Sequence, residues 1–211
     1  MNIYFIRHGE SVANVKRIIS NRGNKHPLTE LGQQQARDLA SKLQPEKPVR
    51  FFCSPILRAR QTAKILADSW GVNTVDVRKE LCEYDLGELE DRSDAKAWGL
   101  YDWEMDEWFK HNRLNVKVKG GESWLDIHDR FVPFIQSLVQ QYGGQEGSLI
   151  CLSHGGLYRV MLPQVVSNLP VKYALENPLS KTGVIRAVIQ DRKINILQYQ
   201  DQIFDLNGPV N

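Results

Sequence analysis

Ile3-Tyr4-Phe5-Ile6-Arg7-His8-Gly9-Glu10-Ser11 joins four apolar residues directly to a polar turn. A short, wholly apolar run predicts a strand covered on both faces, as at the centre of a sheet lined by helices. Arg7 and His8 then stand at the carboxyl end of that strand, the edge where open α/β sheets bind their ligands.

The same arrangement recurs twice. Residues 49–53 read as a strand that runs into Ser54-Pro55-Ile56-Leu57-Arg58-Ala59, and residues 148–152 as a strand that runs into Ser153-His154-Gly155-Gly156. Each delivers a histidine or an arginine to one rim. Helical patterns fill the intervals. Pro27-Leu28-Thr29 leads a helix over 30–43, Pro55 leads one over 56–70 that stops at Gly71, and longer helices are predicted over 122–142 and 155–166. A strand is predicted over 72–77, and the last two, 185–189 and 194–199, face each other across Asp191-Arg192. Pro133 falls inside the 122–142 pattern and bends it or lies near its start.

Strands alternating with helices predict an α/β fold with a mostly parallel sheet and helices on both faces. The 211 residues carry 42% hydrophobic and 25% charged side chains, a globular composition within the size of one domain. We read residues 1–211 as a single domain with an insertion at about 84–120. In the insertion, Trp98, Tyr101, Met105 and Trp108 recur at helical spacing.

Composition narrows the function. A net charge of +2 gives no general attraction to nucleic acid or an anionic membrane. No apolar run reaches the roughly 18 residues of a membrane span, and the opening residues do not read as a signal peptide. Cys53, Cys82 and Cys151 form no disulfide framework, which fits a reducing, cytoplasmic setting.

The residues at the rim suit phosphoryl chemistry. A neutral imidazole attacks phosphorus and forms a covalent intermediate. Arg7 and Arg58 carry forked donors that match phosphate oxygens and neutralise their charge. Their own charge holds a nearby histidine unprotonated, and a bound phosphate opposes that shift. Gly155-Gly156, at a helix start, offers backbone N–H groups to an anion, and His154 offers a donor for charge that develops on the phosphoryl oxygens. The leaving oxygen needs a proton and the attacking water a base. Spacing alone does not choose among Glu80, Glu83, Asp85 and Glu88. His26, His111 and His128 are read as surface or core residues.

Taken in order, Arg7-His8-Gly9-Glu10-Ser11, Asn14, Pro27-Leu28-Thr29-Glu30-Leu31-Gly32, Ser54-Pro55-Ile56-Leu57-Arg58-Ala59-Arg60-Gln61-Thr62-Ala63, Glu83 with Gly87, Gly120-Gly121-Glu122-Ser123 and Ser153-His154-Gly155-Gly156 resemble the histidine phosphatase superfamily, also called the phosphoglycerate mutase-like family. The resemblance implies a three-layer α/β/α sandwich, mostly parallel with an antiparallel edge strand. It implies a phosphorylated nucleophile at His8 and a phosphate pocket completed by Arg7, Arg58 and His154. Glu83, four residues before Gly87, aligns with the family's proton donor. Asn14 resembles a residue that touches the phosphoryl group, Ser20 and Asn21 fall where the family's loop meets substrate, and Gly155 belongs to the same binding set. The implied chemistry uses no metal and no cofactor. The implied partner is a small phosphorylated metabolite, and a homodimer is an open assembly. Two departures stand out: His26 replaces an acidic residue before Pro-Leu-Thr, and Glu88-Leu89-Glu90-Asp91 replaces a Trp-Glu-Gly-like run.

The expected activity is hydrolysis of a small phosphomonoester. A cofactor-dependent phosphoglycerate mutase is the alternative, but such relatives carry a longer, more basic insertion with paired arginines. Here the basic residues are scattered at Lys110, Arg113, Lys117 and Lys119, and the insertion is aromatic. A non-catalytic phospho-ligand-binding relative usually loses one of the two histidines. A cysteine phosphatase needs Cys, five residues and Arg, which none of the three cysteines satisfies. Trp98, Tyr101, Trp103, Trp108 and Trp124 either line a ring-binding pocket or, for most of them, pack the insertion against the core.

Overall fold

The computed structural model describes residues 1–210. In chain order it contains β1 (Asn2–Arg7), α1 (Val12–Val15), α2 (Glu30–Lys42), β2 (Pro48–Cys53), α3 (Leu57–Trp70), β3 (Asp76–Val77), α4 (Ala95–Phe109), α5 (Trp124–Tyr142), β4 (Ser148–Ser153), α6 (Gly155–Met161), α7 (Val171–Glu176), β5 (Val184–Gln190), β6 (Lys193–Tyr199), β7 (Gln202–Asp205) and β8 (Gly208–Pro209). The eight strands form one sheet in the order β3-β2-β4-β1-β5-β6-β7-β8.

β3, β2, β4 and β1 pair in parallel, whereas β5 to β8 add on antiparallel. Side chains on successive residues of β1 point to opposite faces. Ile3 and Phe5 enter a large core with residues of α4, α5 and α6, and Tyr4 and Ile6 a smaller one with residues of α2 and α3. Two helical layers on one sheet make the expected three-layer α/β/α sandwich. The antiparallel side is wider than a single edge strand, because β7 and β8 extend it past the predicted hairpin.

Local differences have local causes. Residues 72–75 fall outside β3, so the third strand is only Asp76–Val77. The helix predicted over 155–166 ends at Met161 and tightens into a 3-10 turn over Leu162–Gln164, with Pro163 in its first turn. α5 starts at Trp124 behind a Ser123 cap and keeps Pro133 in its interior.

The segment between β3 and α5 packs into the large core through Tyr84, Leu86, Leu89, Ala97 and Trp108. It also buries a carboxyl. Glu104, on α4, accepts the Val118 N–H at 2.8 Å through Oε1, while Oε2 has no partner. Burial pushes its pKa up to about 7, from an ordinary 4.5. The neutral acid is therefore the form the fold prefers. Its contribution to stability is fully present below the unfolded value and is lost as pH rises toward the folded one.

Glu104→Gln cannot titrate, so chemical denaturation should show the variant gaining on the parent by about 3 kcal/mol between about pH 4.5 and about pH 8. A constant difference across that range would show that Glu104 does not carry the effect.

Candidate active site

β1 and β4 are in register to their last residues, with Arg7 opposite Ser153. The next residue on each strand is a histidine, so the pairing alone places His8 beside His154. The His8 N–H donates to the Ser153 carbonyl at 3.1 Å, and the rings lie 5.0 Å apart at 62°. β2 ends level with them, since Ser54 N–H donates to the Leu152 carbonyl at 3.0 Å. Arg58 then reaches in from the first turn of α3.

The hydrogen bonds assign the His8 tautomer. Nδ1 lies 2.6 Å from the Gly9 carbonyl, which only accepts, so Nδ1 carries the hydrogen. Nε2 keeps its lone pair and accepts from Arg58 Nε at 3.0 Å. Burial, then the charges of Arg58 and Arg7, hold the His8 pKa well below the ordinary 6.5. His154 is likewise held neutral by burial and then by Arg58. Its Nδ1 lies 3.2 Å from Arg58 Nη2, which can only donate, and its Nε2 lies 2.8 Å from Ser54 Oγ. One guanidinium thus bridges both imidazoles.

Arg58 is itself buried, and its pKa is pushed down to about 10 by that burial. Its Nη1 has no hydrogen-bond partner, nor does Arg7 Nε. Two buried guanidinium donors at one site are costly unless an anion meets them. Arg7 is anchored from behind by the Leu179 carbonyl.

Two glycines make the space. A Cβ on Gly155 would stand 2.8 Å from Arg7 Cζ, and one on Gly156 would stand 2.7 Å from Glu83 Oε1. The Glu83 carboxylate accepts N–H groups from Gly156 at 3.0 Å and Tyr84 at 3.2 Å. The Gly156 N–H is therefore committed to the Glu83 carboxylate. Gly155 does not line the cavity; it makes room for Arg7. Gly9 also closes tightly, since its Cβ would stand 2.4 Å from the Gly32 carbonyl oxygen. Its N–H donates to Thr62 Oγ1 at 3.1 Å, one turn beyond Arg58.

These groups surround a cavity of about 190 Å³. Arg7, His8, Arg58, Glu83, Asn14, Ser20 and Asn21 all line it. His154 is fully buried and does not; it meets the site through Arg58 and the edge of its ring. Asn14 Oδ1 accepts the Ser11 N–H at 3.2 Å in the capping box of α1. Of the five aromatic candidates, Trp98 and Tyr101 reach the cavity, Trp108 and Trp124 are buried elsewhere, and Trp103 is exposed. Of the four acidic candidates only Glu83 lines it.

Sequence reasoning missed Tyr84, Leu86, Ile18 and Ile19 as lining residues, and Lys181. Lys181 lies on the loop that holds β1 from the antiparallel side, where Thr182 N–H donates to the His8 carbonyl at 3.3 Å. Burial, then Arg7, push its ammonium pKa down to about 8. Ser54 and Thr62 stand within the quoted motifs, but nothing in their spacing marked them as partners of His154 and Gly9. Among the described residues, no group of three or more His, Cys, Asp or Glu side chains comes together as a metal-ligand set.

A family model for the histidine phosphatase superfamily (branch 1) matches residues 3–202. The probable phosphoglycerate mutase GpmB of Yersinia pestis (strain Pestoides F) is 29% identical over 158 residues, covering 74% of this chain and 70% of the relative. Among solved structures, an alpha-ribazole phosphatase from Shigella flexneri superposes with a TM-score of 0.76 at 21% identity, over 95% of this chain and 96% of that one. A mycobacterial glucosyl-3-phosphoglycerate phosphatase complexed with VO3 gives 0.77 at 21% identity, over 94% and 98%. At these identities the two structures establish a shared fold.

Imidazole nitrogen NMR should find His8 Nδ1 protonated and Nε2 bare at the pH where an ordinary imidazole is half protonated, since burial, Arg58 and Arg7 hold its pKa below the ordinary value. Arg58→Met removes a depressing charge and should move the His8 titration upward. A His8 ring that titrates near 6.5 in the parent would contradict the assignment.

Proposed function

The chain belongs to the histidine phosphatase superfamily, and on that premise we propose that it hydrolyses a small phosphomonoester through a phosphohistidine at His8. The observation that carries this reading is the bare Nε2 of His8, aimed by the Gly9 carbonyl and held beside the unpartnered donor of Arg58.

In the first step the Nε2 lone pair attacks phosphorus while the ester P–O bond breaks on the opposite side. Arg7 Nε and Arg58 Nη1 supply donors to the phosphoryl oxygens, and Asn14 lines the same wall. Arg58 Nε must release Nε2 as the new bond forms, and the phosphoryl oxygens take up its charge. Glu83 delivers a proton to the departing alkoxide. In the second step Glu83 takes a proton from water, the hydroxide adds to phosphorus, and the P–N bond returns its electron pair to His8. In the resting site His154 Nδ1 accepts from Arg58 Nη2, so Nε2 carries the hydrogen and donates to Ser54 Oγ; if Nη2 turns to the phosphoryl oxygens, Ser54 Oγ can donate to Nε2 instead. A shift to the Nδ1–H form turns that ring edge from acceptor to donor.

A phosphoglycerate mutase reading is favoured by the names of the curated relatives. Against it, among the described residues Arg7 and Arg58 are the only cations lining the cavity, too few to retain a doubly phosphorylated, carboxylate-bearing intermediate between turns.

Mixing the protein with p-nitrophenyl phosphate should give acid-labile, alkali-stable phosphate on His8 that passes to water, and His8→Ala should abolish both label and turnover. Phosphate that passes only to a phosphoglycerate acceptor would favour the mutase. EDTA should leave turnover intact; inhibition relieved by a divalent ion would refute this scheme.

Glu83→Gln should slow alkyl phosphates by about 10² or more, yet affect p-nitrophenyl phosphate far less, because nitrophenolate leaves without a proton. Gly156→Ala should reproduce that pattern by displacing the carboxylate. Equal losses on both ester types would argue against proton donation by Glu83.

A further inference from the structure

We infer that the alcohol portion of the preferred substrate is an uncharged, flat or apolar group packed against Trp98 and Tyr101, and not a carboxylate-bearing one. This rests on the phosphatase reading and extends it to the substrate class.

The cavity is chemically divided. Its two cations are at the phosphoryl end, where Arg58 touches His8 and Arg7 precedes it in the chain. The remainder of the wall comes from α4, the loop after α1 and the segment following Glu83. It is built from Trp98, Tyr101, Tyr84, Ile18, Ile19 and Leu86, with Ser20 and Asn21 as polar members on the loop after α1.

The polar handles of these rings are already used by the protein, apart from the hydrogen of the Tyr101 hydroxyl, whose oxygen only accepts. Trp98 Nε1 donates to the Arg17 carbonyl at 3.0 Å, and the Arg17 guanidinium lies 6.0 Å from its ring centre. Tyr101 Oη accepts from Arg159 Nη2 at 2.7 Å and from Tyr84 Oη at 3.0 Å. Trp98 and Tyr101 meet edge to face, with centroids 5.5 Å apart at 71°. What remains for a ligand is ring surface and that one uncharged O–H donor, suited to a flat or apolar uncharged group.

Among the described residues no cation lines this end of the cavity: Arg159 donates to the Tyr101 hydroxyl and Arg17 stands 6.0 Å from the Trp98 ring centre, but neither is part of the lining. Arg22, beside the rim residue Asn21, is committed to Asp85 at 2.7 Å and to the Gly120 carbonyl at 2.9 Å. Lys181 does not line the cavity. A carboxylate held against this wall loses water without gaining a counter-charge.

The test compares primary alkyl phosphates, so that leaving-group basicity is similar. 2-Phenylethyl phosphate should exceed 3-phosphoglycerate in kcat/KM by at least about tenfold, and should exceed ethyl phosphate by a similar factor, as expected for one aromatic contact. Trp98→Ala should collapse the phenylethyl-to-ethyl ratio toward one, Trp98→Phe should keep it within about threefold, and Trp98→Arg should move the balance toward 3-phosphoglycerate. If 3-phosphoglycerate is hydrolysed as well as 2-phenylethyl phosphate, or if Trp98→Ala and Trp98→Phe leave the phenylethyl-to-ethyl ratio equally unchanged, the inference is wrong while the phosphatase reading stands. If no ester is hydrolysed and His8 takes no label, the phosphatase reading fails and the inference falls with it.

Discussion

The site depends on one guanidinium shared by two buried imidazoles. Arg58 contacts His8 through Nε and His154 through Nη2, and holds Nη1 without a partner. Burying an arginine this deeply costs several kcal/mol unless its donors are met. Two neutral rings meet two of them and leave the charge uncompensated. The protein therefore keeps a cation beside the His8 ring whose hydrogen bonds go to neutral rings, with Glu83 acting on it only from across the cavity. In the proposed reaction a phosphoryl dianion resolves that imbalance, and burial together with the same charge holds His8 unprotonated beforehand.

The register of β1 against β4 makes this geometry inexpensive to specify. Two strands end level, and a histidine follows each. Both strands are legible in the sequence because a centrally placed parallel strand is apolar on both faces. The edges were not. Asp76–Val77, Gln202–Asp205 and Gly208–Pro209 are too short to show a period, and α1 is a single turn whose definition comes from the Ser11–Asn14 capping box. The site follows the same division. His8, Arg58 and His154 were readable because each follows or closely trails a strand. Glu83 was separable from Glu80, Asp85 and Glu88 only through the family resemblance, since its distinction is a three-dimensional one: Gly156, more than seventy residues away, leaves room for it and donates to it.

The two departures from the family pattern meet in space. His26 Nε2 lies 3.4 Å from Asp91 Oδ1, and Lys25 pairs with the same carboxylate. Glu90 accepts the N–H groups of Asn21 and Arg22, and Ile19 exchanges backbone hydrogen bonds with Asp91 and Arg92. Exposed ion pairs of this kind contribute little stability. The backbone bonds do more, because they fix residues 18–22 as one wall of the cavity. The unusual 88–91 run thus acts on the site at one remove, by holding the loop that bears Ser20 and Asn21.

That loop and α4 supply the part of the cavity that does not handle phosphate, and the two parts use binding energy differently. Charge at the His8 end meets the phosphoryl group in ground state and transition state alike, so it accelerates the reaction only where donors fit the transferring geometry better. Contacts at the Trp98 end touch nothing that reacts, yet they can hold the ester in line with Nε2 and within reach of Glu83. Orientation of this kind can be worth several kcal/mol of barrier. A rigid wall suits that role, and Trp98 and Tyr101 are rigid because their N–H and O–H groups are tied to Arg17, Arg159 and Tyr84. In the proposed reaction selectivity and alignment therefore come from the same aromatic surface, set on the helix that the spacing of Trp98, Tyr101, Met105 and Trp108 predicts.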